Sequence, residues 1–217
     1  ISDVTVVEGV DAVFAVSLDK PSFESITVAL ATVEGTALDP EDYTGYTGGA
    51  ITFAPGETSK NITIATIDDA IYEVTENFTL NGEVTSGTTV NTTASGTGTI
   101  TDNDGDAPTL SISDVSVVEG VDAVFAVSLD KPSFESITVA LATVEGTALD
   151  PEDYTGYTGG AITFAPGETS KNITIVTIDD AIYEVDENFT LNGEVTLGTT
   201  ANTTTSGTGT ITDNDGN

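Results

Sequence analysis

Residues 68–76 read DDAIYEVTE and residues 179–187 read DDAIYEVDE. The first stretch holds four carboxylates and the second five, with no Lys, Arg or His in either. Carboxylates this close together either raise one another's pKa or recruit a counter-ion. Donors that are all oxygen, without His or Cys, suit a hard cation. Ca²⁺ accepts roughly 6–8 oxygens in loose geometry, whereas Mg²⁺ demands a stricter octahedron and keeps its water. The chemistry on offer is therefore cation binding, with Ca²⁺ the better fit. The plainer alternative is a solvated acidic surface that only keeps the protein soluble.

Composition narrows the function further. The chain has 217 residues, 36 Asp and Glu against four Lys, and a net charge of −32. It has no Arg, His, Cys, Met or Trp. Without Cys there are no disulfides, thiol nucleophiles or Cys-based zinc sites. Without His the commonest general base is missing, and no nucleophile–base set can be assembled. The chain reads as no enzyme. Its charge opposes binding to nucleic acid or an anionic membrane surface. No apolar run is long enough to insert in a membrane. Hydrophobic residues make up 38%, enough to build a core. Ile1 is not an initiating residue, so the chain reads as an excerpt of a longer protein.

The elements that position these acids come in two copies. Ile1 aligns with Ile112 and Asp104 with Asp215, at a constant offset of 111. Seven positions differ: Thr5/Ser116, Ala65/Val176, Thr75/Asp186, Ser86/Leu197, Val90/Ala201, Ala94/Thr205 and Asp106/Asn217. A period this long suits a whole domain rather than a solenoid unit. The expected organisation is a first domain at 1–106, a short linker at 107–111 (APTLS) and a second domain at 112–217. Within a copy the period is two, as in FAVSL (14–18), ITVAL (26–30) and NITI (61–64). That alternation predicts strands with one buried face. Seven are expected, near 1–7, 12–18, 26–33, 49–53, 59–67, 77–84 and 94–101. The fold class is all-β: two tandem immunoglobulin-like seven-stranded antiparallel β-sandwiches.

If strand direction alternates, the first, third, fifth and seventh strands end at one pole. Thirteen of the first copy's 18 acids then follow those ends, while Lys20 and Lys60 lie at the other pole. The DNDGD stretch at 102–106 is not an EF-hand. Its Gly105 is fourth rather than sixth, no Glu closes the loop and no helices flank it.

The motifs VVEG (6–9), GTALDPEDY (35–43), ITFAPGETSKNITI (51–64), DDAIYEVTENFTL (68–80) and TITDND (99–104) resemble the Calx-β family in that order. The resemblance covers essentially all of each copy. It implies an immunoglobulin-like sandwich, Ca²⁺ as the bound ion, and ligands by position. In the first copy these are Glu8, Asp42, Asp68, Asp69, Glu73, Glu76, Asp102 and Asp104, with the backbone carbonyl of Ile71. In the second they are Glu119, Asp153, Asp179, Asp180, Glu184, Glu187, Asp213 and Asp215, with the carbonyl of Ile182. Two departures stand out. Asn103 and Asn214 interrupt a terminal run that is fully acidic in the best-known Ca²⁺ sensors of the family. Asp186 replaces Thr75. The short APTLS join adds the expectation that Ca²⁺ links Asp102, Asp104 and Asp106 to groups at the start of the second copy, such as Asp114.

Two functions follow as expectations. One is a pair of non-enzymatic structural extender repeats from a large secreted bacterial surface adhesin, extracellular and stiffened by Ca²⁺ in the domains and their junction. Near-identical copies favour it, because a spacer can be copied freely when only length matters. Its partners would be neighbouring repeats of the same chain, and in isolation it would be monomeric. The other is a cytosolic Ca²⁺-sensing module of a cation exchanger, for which divergent copies would be expected. Ice or sugar binding through Thr-rich strands and Tyr43, Tyr46 and Tyr72 is the weakest alternative.

Overall fold

In a computed structural model, which describes residues 1–215, the chain forms two compact units. They are Ile1–Asp104 and the residues from Gly105 onward. Asn217, the last differing position, lies outside the described residues.

The first unit has seven strands: β1 (Val4–Val7), β2 (Ala12–Ser17), β3 (Ile26–Glu34), β4 (Ala50–Phe53), β5 (Ser59–Ile64), β6 (Glu76–Ser86) and β7 (Thr93–Thr101). One sheet has the order β1-β7-β6-β3-β4 and the other pairs β2 with β5. The alternation seen in the sequence is the burial pattern. Ala12, Phe14 and Val16 of β2, Ile62 and Ile64 of β5, and Phe78 and Leu80 of β6 turn inward and share one core with Ile26, Leu30 and Phe53. Phe78 sits centrally, stacked on Tyr43 at 4.2 Å between ring centroids and edge-on to Phe14 at 5.8 Å. Offset and edge-on aromatic pairs of this kind add stability beyond the area they bury. Gly98 of β7 faces the Phe78 ring, where a Cβ would come within 2.5 Å of Cζ. The small residues of TGTIT thus make room for an aromatic on the neighbouring strand.

The second unit repeats this with one addition. Its strands are β8 (Leu110–Ile112), β9 (Val115–Val118), β10 (Ala123–Leu129), β11 (Ile137–Glu145), β12 (Ala161–Phe164), β13 (Ser170–Ile175), β14 (Glu187–Leu197) and β15 (Thr204–Thr212). The sheets are β12-β11-β14-β15-β9 and β13-β10-β8. Leu110 and Ser111, expected in a connector, are built into the second unit as part of β8.

Strand direction places the acids. β7 is antiparallel to β6, and β6 is antiparallel to β3. β3 and β7 therefore run the same way. β1 joins the edge of the sheet parallel to β7. So β1, β3 and β7 all end at the pole where β6 begins with Glu76. The parallel β1–β7 pair is the one exception to antiparallel pairing in this unit's ladders, and the second unit repeats it in β9–β15.

Candidate metal centre

At this pole the chain turns sharply after β1. Gly9 has φ +72°, and its missing Cβ lets Asp68 approach, since a Cβ would sit 2.8 Å from that of Asp68. Glu8 is thereby held in the ladder, its N–H donating to the Thr101 carbonyl at 3.0 Å, with its side chain buried. After β7, Asn103 ties three segments together. Its backbone N–H donates to Glu8 Oε1 and its side-chain amide to Asp68 Oδ1, both at 2.8 Å. Within the acidic loop Asp69 Oδ1 accepts the Ile71 N–H at 2.7 Å, and Glu73 N–H donates to Asp102 Oδ1 at 3.2 Å. Asp42 Oδ2 caps the turn after β3 by accepting the Leu38 N–H at 2.6 Å.

These constraints bring the carboxylates into two groups per unit. Glu8, Asp69 and Asp104 each offer an oxygen within 4.8 Å of the others, and so do Asp42, Glu73 and Glu76. The second unit repeats both groups, as Glu119, Asp180 and Asp215, and as Asp153, Glu184 and Glu187. Oxygens at such spacing can share one cation, because Ca²⁺–oxygen distances are about 2.3–2.6 Å. The expected ligands Asp68 and Asp102 lie beside these groups, joined to them through Asn103 and Glu73. Asp179 and Asp213 take the same places, through Asn214 and Glu184. Ile71 and Ile182 are in the loop, and the contact each makes there is through its N–H, to Asp69 and Asp180. Asp114, expected near the join, is engaged within its own unit, accepting the Thr208 N–H at 2.7 Å.

The electrostatics are those of an anion cluster short of positive charge. Glu76 is 6% exposed, and its Oε2 is buried without a hydrogen-bond donor. Burial, followed by the bond and charge of Asp42 and then the charge of Glu73, pushes its pKa up to about 8. Burial also lifts Glu73 to about 7, helped by Asp42, Asp69, Glu8 and Asp102. Glu8 and Asp104 are raised as well, with burial again the leading cause. In the second unit Glu187 reaches about 7 and Glu184 is raised, both led by burial. Asp215 Oδ2 is a further buried oxygen without a donor. The ion pairs Lys60–Glu57 and Lys171–Glu168 join residues placed by sequence at the opposite pole. Buried oxygens without donors, all on carboxylates, match the donor set that a hard cation requires.

Sequence reasoning treated Asn103 and Asn214 as lost charges. Their structural part is to cross-link, because an amide can donate to a carboxylate where a third acid could not. The signal was available in the residue type, but its partner lies 35 residues away.

Among the described residues, no helix is long and apolar enough to cross a membrane. Among known proteins, sodium/calcium exchanger 1 of dog is 28% identical over 187 residues, covering 77% of this chain and 19% of that protein. Extracellular matrix protein 3 of the sea urchin Lytechinus variegatus is 29% identical over 195 residues, covering 82% of this chain and 6% of that protein. The chain thus spans a small part of the length of these relatives. A crystal structure of CBD12 from CALX1.2 covers 96% of each chain at 20% identity and a TM-score of 0.42. The Calx-beta domain family model matches residues 2–104 and 101–215, so the chain is a tandem pair belonging to the Calx-beta domain family.

Proposed function

We propose that each unit binds Ca²⁺ at its acidic pole, and that the pair serves as non-enzymatic, ion-stabilised extender repeats of a large secreted bacterial surface protein. The observation that carries the Ca²⁺ reading is Glu76 Oε2, buried without a donor inside the Asp42–Glu73–Glu76 group. A buried carboxylate oxygen with no donor is costly to keep charged. A divalent ion among these groups would remove that cost and hold the loops together. Glu8, Asp69 and Asp104 would hold a second ion, and the second unit would repeat both. The ion supplies charge neutralisation and cross-linking, and no bond-making step is involved.

The extender role rests on near-identity. Only seven positions separate the copies, and the residues that form the acid groups are the same in both. Selection for a graded sensor would be expected to make the copies diverge. The similarity to sodium/calcium exchanger 1 favours a second reading, a regulatory Ca²⁺ module acting inside cells.

Calorimetric titration of chelator-treated protein, with melting temperature followed in parallel, separates these readings. Saturation near 10⁻⁴–10⁻³ M, the range of extracellular modules, with a large rise in Tm, is expected for extender repeats. Saturation at or below about 10⁻⁶ M would transfer the assignment to the regulatory module. No heat and no Tm change at about 10⁻² M Ca²⁺ would overturn Ca²⁺ binding itself.

A further inference from the structure

Of the eight carboxylates expected as ligands in the first unit, six fall into the two groups, and Asp68 and Asp102 do not. What holds those two is a protein donor. Asp102 Oδ1 accepts the Glu73 N–H, and Asp68 Oδ1 accepts the Asn103 side-chain amide at 2.8 Å. Asp213 and Asp179 are held in the same way, by the Glu184 N–H and by the Asn214 amide at 3.0 Å.

Each Asn makes a second bond to an acid from another segment. The Asn103 N–H donates to Glu8 Oε1 at 2.8 Å, and the Asn214 N–H donates to Glu119 Oε1 at 3.0 Å. One neutral residue after β7 thus joins a carboxylate after β1 to a carboxylate after β5. Joining acids from separate loops is the work of a bridging cation, and here two N–H groups do it. The other acid group has no such help, since Glu76 Oε2 stays buried without a donor. The second unit repeats the arrangement around Asn214, and its Asp215 keeps a buried oxygen without a donor next to that residue.

We propose that Asn103 and Asn214 stand in the place of a third cation in each unit, and so set its capacity at two divalent ions. The inference rests on the Ca²⁺ reading above and adds which acids hold the ions and which only position them. Asp68 and Asp102 are positioning residues, tied to protein donors. The ions belong to Glu8, Asp69 and Asp104 and to Asp42, Glu73 and Glu76, with their counterparts in the second unit. A third ion would need an anion at position 103, between Asp102 and Asp104. The amide offers instead a donor aimed at Asp68, and a donor hydrogen repels a cation from that oxygen. A carboxylate at position 103 would have no donor for Asp68 and would add like charge beside Glu8, Asp102 and Asp104.

The test uses the full chain in two variants. One carries Asn103→Asp with Asn214→Asp, and the other carries Asn103→Ala with Asn214→Ala. Bound Ca²⁺ per chain is counted by equilibrium dialysis with metal analysis, and melting is followed in chelator and in Ca²⁺. The parent is expected to bind four ions, one for each acid group. The Ala variant should also bind four, but melt roughly 5 °C lower in chelator because the cross-link is lost. The Asp variant should bind about six. It should melt lower still in chelator, through like-charge repulsion, and recover in Ca²⁺. An Asp variant that binds only four would reduce both Asn residues to structural cross-links and overturn the assignment. So would six ions on the parent or on the Ala variant, counts that stand even if the Asp variant fails to fold by circular dichroism. A parent that binds no Ca²⁺ is a different failure, because it overturns the Ca²⁺ reading itself and this inference with it.

Discussion

Glu76 concentrates the physics of this pole. Its backbone is fixed by the first pair of the β6–β7 ladder, opposite Ile100, and its side chain is buried at 6% exposure. Asp42 faces it from the turn after β3, and that turn is held in place by Asp42's own bond to the Leu38 N–H. With their oxygens this close, two ionised carboxylates repel, so the pair favours a shared proton or a cation. Replacement by the isosteric amide separates these roles. In Glu76→Gln the amide can donate to Asp42 and carries no charge at any pH, so above about pH 8, where Glu76 itself ionises, the ion-free protein is expected to melt at a higher temperature than the parent. The same change removes an anionic ligand, and Ca²⁺ affinity at this group should fall about tenfold or more. Melting scans with chelator and with Ca²⁺ read both effects. A variant less stable than the parent in chelator, with Ca²⁺ binding intact, would mean that Glu76 is a structural hydrogen-bonding residue rather than a ligand.

At the scale of elements, the pole exists because β1, β3 and β7 end together, and that depends on how tightly β7 lies against β6. Gly98 is paired with Phe78, with no side chain between its backbone and the Phe78 ring, which also meets Phe14 and Tyr43. Gly98→Ala puts a methyl group 2.5 Å from the ring and 3.0 Å from Phe14, distances that force the core to shift. Overpacking of this sort costs about 1–3 kcal/mol. The expected outcome is a lower chemical-denaturation midpoint and weaker Ca²⁺ binding, because Asp102 and Asp104 follow β7 directly. An unchanged midpoint would show that the ring has room to move. The sequence made most of this legible. Alternation in FAVSL and NITI marked β2 and β5 because each strand buries one face in a two-sheet core, and the acids followed strand ends because direction alternates. β8 was not legible. Three residues after a Pro carry too short an alternation to signal a strand, and Leu110 is held by Leu129 and Asn202, 19 and 92 residues away. The two-group partition of the acids was hidden for the same reason: Glu8 meets Asp69 and Asp104 only through long-range contacts.

For the whole chain, a net charge of −32 makes stability a function of protons and cations together. In the ion-free protein Glu76 is raised to about 8, and Glu73 and Glu187 to about 7. An unfolded glutamate titrates near 4.3. Between those values the folded chain holds protons that the unfolded chain has released, so stability falls as pH rises. The favourable protonation is fully present below the unfolded pKa and lost as pH passes through 7 to 8. Chelator-treated protein should therefore melt at a higher temperature at pH 5 than at pH 8, opposite to a protein stabilised by carboxylate ion pairs. Ca²⁺ is expected to reverse the slope, because binding at these groups would take their deprotonated form. It stabilises by about 2.7 kcal/mol at a hundredfold excess over Kd, and more at the higher pH. Binding must then expel the protons that remain at neutral pH. Titrations at pH 7 in buffers of different ionisation enthalpy are expected to show net proton release, shrinking toward zero by pH 9, where all three groups are already charged. Proton release that is absent at pH 7, or equal at pH 7 and pH 9, would place the ions away from Glu73, Glu76 and Glu187. The self-repelling stretches that first mark this sequence would then be solvated surface rather than the ion-binding ends of its two sandwiches.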